Sequence, residues 1–478
     1  MSALRRRVPH RPIDHLHVIG AGPAGRLLAA AASRRGLDVT LSDPSLAGQP
    51  NLPATIGVWM DQLPDWLPDG FLRSRFQPQV IVAEPGKRGS RSVKLSREYG
   101  VVDNQELAQL GGYQADPQVI TREQMDAEDE APKTAVVFTT GKGLARSKST
   151  AVADAGGERE PAASPYYQFA YGQVFRETDL PDKVRQPTLM DFRRPDRPEV
   201  PKELSAELAH LYDTIPTFSY RLPLGDGTWL IEETILATAV RDQFPTANKR
   251  TLHHPRVTVA NAEAALQYLR LMQGKRLEMI GVDSNLAIDD EVVAFPMLSP
   301  LLNRADITNK TSTPSTTSTP SKYQHWGFGS VGVRSRSGKP AGSWLHPATG
   351  YSVGATAATV DSQVERILAG IAPQPPGGRF AGILLRRGLG ALLEFPPRQT
   401  QIFFSAFFDL APKRIEAYLT PGSTSRSQNR PSKTANLATN LELLRTMLAL
   451  AVPLIRRDKA TLWQLLKGFS RGVIYLNA

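Results

Sequence analysis

The sequence predicts an α/β fold in which a βαβ unit near the N-terminus is followed by an inserted β-rich domain and a helical C-terminal region. Three observations predict it. Residues 16–43, LHVIGAGPAGRLLAAAASRRGLDVTLSD, carry strand, glycine-rich turn, helix and second strand in order; residues 166–236 alternate apolar and polar side chains; beyond residue 376 the apolar spacing becomes helical.

In the first unit an apolar strand at 16–19 runs into Gly20, Gly22 and Gly25, then an Ala/Leu-rich helix, then a strand ending in Asp43. The first two glycines permit a tight turn and close approach of backbone to a pyrophosphate, and the third lets helix pack on strand. The helix N-terminus offers free N–H groups to the anion. Gly20, Gly22, Pro23, Ala24 and Gly25 are therefore the candidate phosphate-side residues. Asp43 lies 23 positions after Gly20, where a carboxylate would meet a ribose hydroxyl. The unit's place near the start of the chain and its GAGPAG wording favour FAD as a resident cofactor, with NAD(P) the smaller possibility. The fold class is accordingly a Rossmann-type FAD-binding flavoprotein.

After this unit, residues 56–59 (IGVW) and 80–83 (VIVA) read as short strands around a Pro/Asp-rich loop. Residues 133–157 read as strand, turn and a second strand whose Asp154 would return to the nucleotide, although such a pattern alone is generic. YYQFAYGQVF, LMDFR and TFSYRLPLGDGTWLIEETIL read as half-buried strands, the last a hairpin turning at Gly225-Asp226-Gly227. Residues 303–322, rich in Thr, Ser and Pro, read as a surface insertion or disordered loop. The expected organisation is a discontinuous FAD-binding domain (1–60, 95–165 and 290–375), a substrate domain (61–94 and 166–289) and a helical region (376–478).

Composition narrows the function. With no cysteine among 478 residues, disulfides, thiolate metal sites and a cysteine nucleophile are excluded, and eight scattered histidines without HExxH spacing argue against a metal enzyme. The net charge of +11 is dispersed in small clusters, such as 5–7, 193–194, 386–387 and 456–457, which favours an anionic membrane surface over nucleic acid as partner. No signal peptide is evident, and no run reaches the roughly 20 apolar residues of a spanning helix. Residues 447–455, broken by Pro453 and flanked by Arg445 and Arg456-Arg457, suit either a helix at a membrane interface or one closing the core.

Segments spread in order over most of the chain together resemble the plant and cyanobacterial type of lycopene cyclase. They are GAGPAG (20–25), IGVW (56–59), YQFAYG (167–172), MDFR (190–193), TFSYRLPL with IEET (217–234), FPMLSPL (295–301), HPATGYSV (346–353) and FFSAFFDL (403–410). The resemblance implies redox-neutral, acid-initiated cyclisation of the linear ends of lycopene, most commonly to β-ionone rings, on bound FAD reduced by NADPH. It also implies lycopene taken from a membrane by a peripheral protein, on a thylakoid or plasma membrane at its cytoplasmic face, or in a plastid. No nucleic acid and no metal are implied.

The resemblance makes Glu232 the first candidate acid/base. On a regular strand Glu233 points to the opposite face, so one of the two is catalytic and the other a partner for an arginine. Apolar surroundings would keep the acid protonated near neutral pH. Asp191 and Arg193 of MDFR read as a second polar element, either a stiffening ion pair or part of the catalytic set. His346, Pro347, Thr349, Gly350 and Tyr351 match the family's late flavin-contact loop, and a following helix from about Gly354 aims its N-terminus at the cofactor. Phe404, Phe407 and Phe408, with Phe403, form either ordinary core or the wall of a polyene tunnel. Trp59, Phe218 and Tyr220, with Trp229, offer π faces to a carbocation.

Departures from the family pattern are Asn104-Gln105, where relatives carry a basic residue, and an insertion over 329–345. They keep three rivals in view: a flavin monooxygenase acting on an isoprenoid, a non-catalytic carotenoid-binding paralogue, and, more remotely, a flavoprotein that modifies nucleic acid.

Overall fold

A computed structural model describes residues 13, 15–47, 52, 54–84, 89–118, 134–138, 166–199, 205–243, 255–297, 324–327, 345–346, 348–371, 373, 378–420 and 432–474. Asp154, Pro347, the stretch 303–322 and most of the insertion at 329–345 lie outside these residues.

The chain opens with β1 (His15–Ile19), α1 (Pro23–Arg34) and β2 (Asp38–Ser42). Proline at the first turn of α1 loses no hydrogen bond there, and the alanines along its buried side let the helix lie close to the sheet. Strands β3 (Gly57–Trp59), β4 (Leu72–Phe76), β5 (Gln79–Ala83), β6 (Ser90–Lys94) and β7 (Tyr99–Val102) follow, then α2 (Asn104–Gln109), β8 (Gln114–Asp116) and β9 (Thr134–Phe138). Next come β10 (Tyr166–Arg176), β11 (Thr188–Asp191), α3 (Ser205–Thr214), β12 (Phe218–Pro223), β13 (Thr228–Val240) and β14 (Thr258–Val259). Helix α4 (Ala262–Ile280), β15 (Asp289–Pro296), β16 (Gln324–Gly327) and α5 (Val353–Leu368) complete the sheet-bearing part. The remainder is helical: α6 (Gly378–Leu392), α7 (Pro397–Phe407), α8 (Pro412–Leu419), α9 (Ser432–Arg457) and α10 (Lys459–Ile474).

The described residues form three sheets. A parallel sheet of order β16-β9-β1-β2-β8 carries α1, which packs on α5. A small antiparallel sheet joins β3, β7 and β4. A mixed sheet has the order β15-β10-β13-β12-β11-β5-β6, with β14 beside β13. The hairpin between β12 and β13 turns at Gly225 and Gly227, with φ of 89° and 78°. A Cβ on Gly225 would stand 1.9 Å from the carbonyl oxygen of Arg73, so only glycine fits there.

The mixed sheet corrects two of the expected boundaries. Residues 289–296 form its edge strand on β10, whereas the sequence reading assigned 290–375 to the nucleotide domain. Within 61–94, β4 joins β3 and β7 while β5 and β6 join the mixed sheet. Strand partners are chosen by contacts distant in sequence, which local alternation does not encode. A third correction concerns residues 447–455. They lie inside the longer α9, whose 437–457 segment has the length and mean hydropathy (1.4) of a membrane span, with 22% of that window buried. Glu442 and Arg445 interrupt the apolar run in sequence, yet a helix carries them without ending.

Candidate active site

At the N-terminal unit, Gly20 adopts φ 109°, and among the described residues no atom beyond its own chain neighbours lies within 4 Å of where a Cβ on Gly22 would stand. Helix α1 begins there without a side-chain cap, so its first N–H groups are left for a ligand. Buried Arg26 reaches back from α1 to hold the carbonyl of Ala21 (2.7 Å), and it also bonds the carbonyl of Ala108. Asp43 sits at the end of β2, its carboxylate accepting from the N–H groups of Ala21 (3.0 Å) and Ser45 (2.8 Å). An open, uncapped, glycine-lined turn with an adjacent acid fits a nucleotide pyrophosphate and ribose. Asn104 takes a structural part nearby: its amide donates to the carbonyls of Leu52 and Ala54, while Asp103 caps α2.

In the mixed sheet the period of two separates the adjacent glutamates. Glu233, fully buried, faces α4, where Arg276 donates to it from Nε (2.8 Å) and Nη2 (3.1 Å). Asp191 is paired through Ser219 to the same face as Glu233. It accepts from Arg193 Nε (2.9 Å) and lies 3.5 Å from Arg221 and 3.7 Å from Arg276. Burial alone would raise the Asp191 carboxyl, but Arg193, Arg276 and Arg221 hold it below the ordinary carboxylate range. Buried Asp191 and Glu233 thus share one ion network through Arg276, which half-buried Arg193 joins at Asp191. Breaking such a network by removing one member typically costs about 3–5 kcal/mol.

Glu232 points to the other face, in register with Tyr220 on β12 and Gly172 on β10. It is 8% exposed, and its Oε1 accepts from Thr234 (2.9 Å). Burial, followed by the negative charge of Glu291, pushes this carboxyl up to about 8, so it is protonated at neutral pH. Tyr220, its neighbour across the sheet, meets Tyr99 and Tyr351, and burial raises all three phenols, so they stay neutral hydroxyls. Trp59 meets Tyr99 edge-on at 4.9 Å and carries the Arg97 guanidinium over its face at 4.7 Å.

Trp59, Phe218, Tyr220, Phe403, Phe404, Phe407 and Phe408 belong to one buried apolar cluster on this side of the sheet. Phe404 stacks on Phe192 at 4.1 Å. Two clefts open on the cluster, one of about 430 Å³ between Trp59, Arg97 and Leu419 and one of about 370 Å³ over Met190, Leu236 and Phe404. Phe408 and Leu419 line both. Glu232 lines neither, but Leu236 extends from the same strand and packs with the same cluster.

The structure therefore divides the four residues considered for catalysis, leaving Glu232 alone on the aromatic side. Trp229, weighed with the aromatic residues, packs with Phe175 and Ile231 in a separate cluster. His346 is buried with both ring nitrogens engaged by backbone: Nε2 with the carbonyl of Tyr418 (2.9 Å), and Nδ1 accepting from the Thr349 N–H (3.2 Å). Burial lowers it to about 4, leaving a neutral ring that locks the loop to α8. Thr349 accepts from the Tyr351 N–H (3.4 Å), and Gly350 takes φ 75° against Gln168 and Phe295. Sequence reasoning missed Tyr99, Arg276, Thr55 and Glu291. Only Glu291 left a trace, as the third acid of DDEVVAFP, where alternation puts it on the same side as Val293 and Phe295. Among the described residues no group of three His, Asp or Glu side chains forms a metal site.

A family model described as lycopene cyclase protein matches residues 15–260, just over half of the chain. Over 440 residues the chain is 25% identical to a chloroplastic lycopene beta cyclase of Arabidopsis thaliana, covering 85% of this chain and 74% of that one. It is 27% identical over 441 residues to the lycopene beta cyclase of Synechococcus elongatus, covering 84% and 88%. Among solved structures it is similar to a geranylgeranyl bacteriochlorophyll reductase-like protein of Thermoplasma acidophilum, with TM-score 0.45 and 9% identity over 95% of this chain and 100% of that one.

Proposed function

The chain belongs to the lycopene cyclase family, and from that premise we propose that it closes the linear ends of lycopene into β-ionone rings, with FAD as resident cofactor and NADPH keeping it reduced. Glu232 gives its proton to the terminal alkene: the carboxyl O–H breaks, a C–H bond forms and a tertiary cation results. The electron pair of the neighbouring double bond closes a six-membered ring. The ring cation then loses an adjacent proton to the Glu232 carboxylate, restoring the acid with no change in composition or oxidation state. The observation that carries this reading is a buried carboxyl, protonated up to about pH 8, beside aromatic rings on the apolar side of a sheet.

The remaining residues take supporting parts. Trp59, Tyr99, Tyr220 and Phe218 exclude water and offer π faces to the cation. Glu233, Asp191 and Arg193, behind the sheet, hold the register that aims Glu232. Gly20, Gly22, Pro23, Ala24, Gly25 and Asp43 would hold the flavin's ADP portion, and Thr349, Gly350 and Tyr351 its other end. When bound and reduced, the flavin supplies negative charge beside the cationic path.

Delivery of lycopene from an anionic membrane is supported by α9 and α10, where Leu437, Leu448, Val452 and Trp463 are each more than half exposed and Arg456, Arg457 and Lys459 stand close by in sequence. Relatives in a cyanobacterium and in a chloroplast favour a thylakoid or plastid setting. Pigment analysis of lycopene-accumulating cells tests the activity. This chain should yield β-ring carotenes, while its Glu232→Gln variant leaves lycopene. A flavin-loaded chain that leaves lycopene untouched while consuming NADPH and oxygen would replace the proposal with an isoprenoid monooxygenase.

A further inference from the structure

Strand β10 lies between β13 and β15, and Gly172 is in register with Glu232 on one side and with Glu291 on the other. Residues directly opposite in a sheet point to the same face, with neighbouring strands about 4.8 Å apart. Two glutamates therefore flank a position that has no side chain, with backbones roughly 10 Å apart, within the combined reach of their side chains. A Cβ on Gly172 would stand 3.1 Å from the Cβ of Glu232 and 2.7 Å from Leu230 Cδ1, so the gap exists only because residue 172 is glycine. Both oxygens of Glu291 are engaged as acceptors: Oε1 by the N–H of Thr55 (2.9 Å) and Oε2 by its hydroxyl (2.6 Å). Burial raises the Glu291 carboxyl above its ordinary range, and the two Thr55 donors oppose that rise by stabilising the ionised form.

We infer that Glu291, fixed by Thr55 and facing Glu232 across Gly172, is a positioning residue that keeps the proton on the acid. The inference rests on the cyclase reading for the reaction it serves. Among the described residues, the other groups around the pair set no comparable charge against it. Tyr220, across the sheet from Glu232, is neutral, as are Tyr99 and Tyr351, Thr234 donates to Glu232, and Glu233 is tied to Arg276 on the opposite face. Asp289, on the strand of Glu291, adds negative charge of the same sign. Thr55 also joins this pair to the segment that follows the glycine-rich unit, so the loop at 54–56 bears on the proton of Glu232.

The test compares the flavin-loaded protein with its Glu291→Gln, Thr55→Val and Glu232→Gln variants by two readouts: infrared titration of the protonated-carboxyl band without substrate, and the pH profile of lycopene cyclisation. Wild type should lose the band near pH 8, and Glu232→Gln should lack it. Glu291→Gln should titrate about one pH unit lower, moving the alkaline limb of cyclisation with it. Thr55→Val, which keeps both carboxylates, should move the same way by less and carries the test if Glu291→Gln does not fold. A band and a limb that stay at the wild-type position while turnover falls would make Glu291 merely structural and overturn the inference. A band that moves in variants of a protein that never cyclises lycopene would uphold the coupling and sink the cyclase reading.

Discussion

Replacing Glu232 by Gln should make the protein more stable in alkali and leave it nearly unchanged in acid. The carboxyl rises from its ordinary 4.5 to about 8 in the folded chain. Between those values the native state holds a proton that the unfolded chain has released, so unfolding free energy falls as pH rises. Below about pH 4.5 both states are protonated and nothing is lost; above about pH 8 the whole penalty is present. A displacement of this size corresponds to about 5 kcal/mol at about 1.36 kcal/mol per pH unit, a ceiling that water entry and side-chain relaxation reduce to roughly 2–5 kcal/mol. Glutamine fills the same space, accepts the Thr234 hydrogen bond and has no charge to bury. Thermal or urea unfolding of both proteins should therefore give curves that meet below about pH 4.5, separate progressively to about pH 8 and run parallel beyond it, with the variant more stable. Parallel curves across that range would mean that Glu232 is not a buried, proton-holding acid, and the mechanism built on it would fall.

Two further outcomes test other parts of the molecule. Gly22→Ala meets no atom of the described residues beyond its chain neighbours and should leave apo stability within about 0.5 kcal/mol, yet its methyl would occupy the space proposed for the pyrophosphate. Flavin content after purification should drop at least tenfold, and full flavin retention would remove the phosphate site from this turn. Leu448→Asp with Val452→Asp alters two exposed positions of α9. Co-sedimentation with anionic liposomes should be abolished while the melting temperature is unchanged, and undiminished sedimentation would place the membrane contact elsewhere.

Much of the fold was legible because its signals are local. The glycine turn of α1, the alternation of β10, β12 and β13, and the hairpin glycines each depend on neighbours a few residues away. The separation of Glu232 from Glu233 follows from the same period. What lay hidden depends on distant partners: Arg276 is 43 residues from Glu233, and Glu291 meets Thr55 across 236. No periodicity announces such pairings, and the edge position of β15 was misassigned for the same reason. Helix α9 was underestimated because charges that end an apolar run in sequence do not end a helix.

Neighbouring glutamates on β13 occupy opposite electrical surroundings, one holding its proton beside aromatic rings and the other paired with the Arg276 guanidinium. Their roles come from parity along the strand rather than from chemical difference. Deleting a single residue between the hairpin turn and Ile231 would keep the acidic pair in the sequence yet exchange the two sides, presenting a free carboxyl to Arg276 and a stranded one to the rings. Alignment of an acidic pair in a relative therefore carries its chemistry only where strand phase is preserved. The irregularity in β13 pairing, between the partners of Tyr167 and Phe169, lies beyond the acidic pair, so it could restore the phase of the strand's end but not that of the acid.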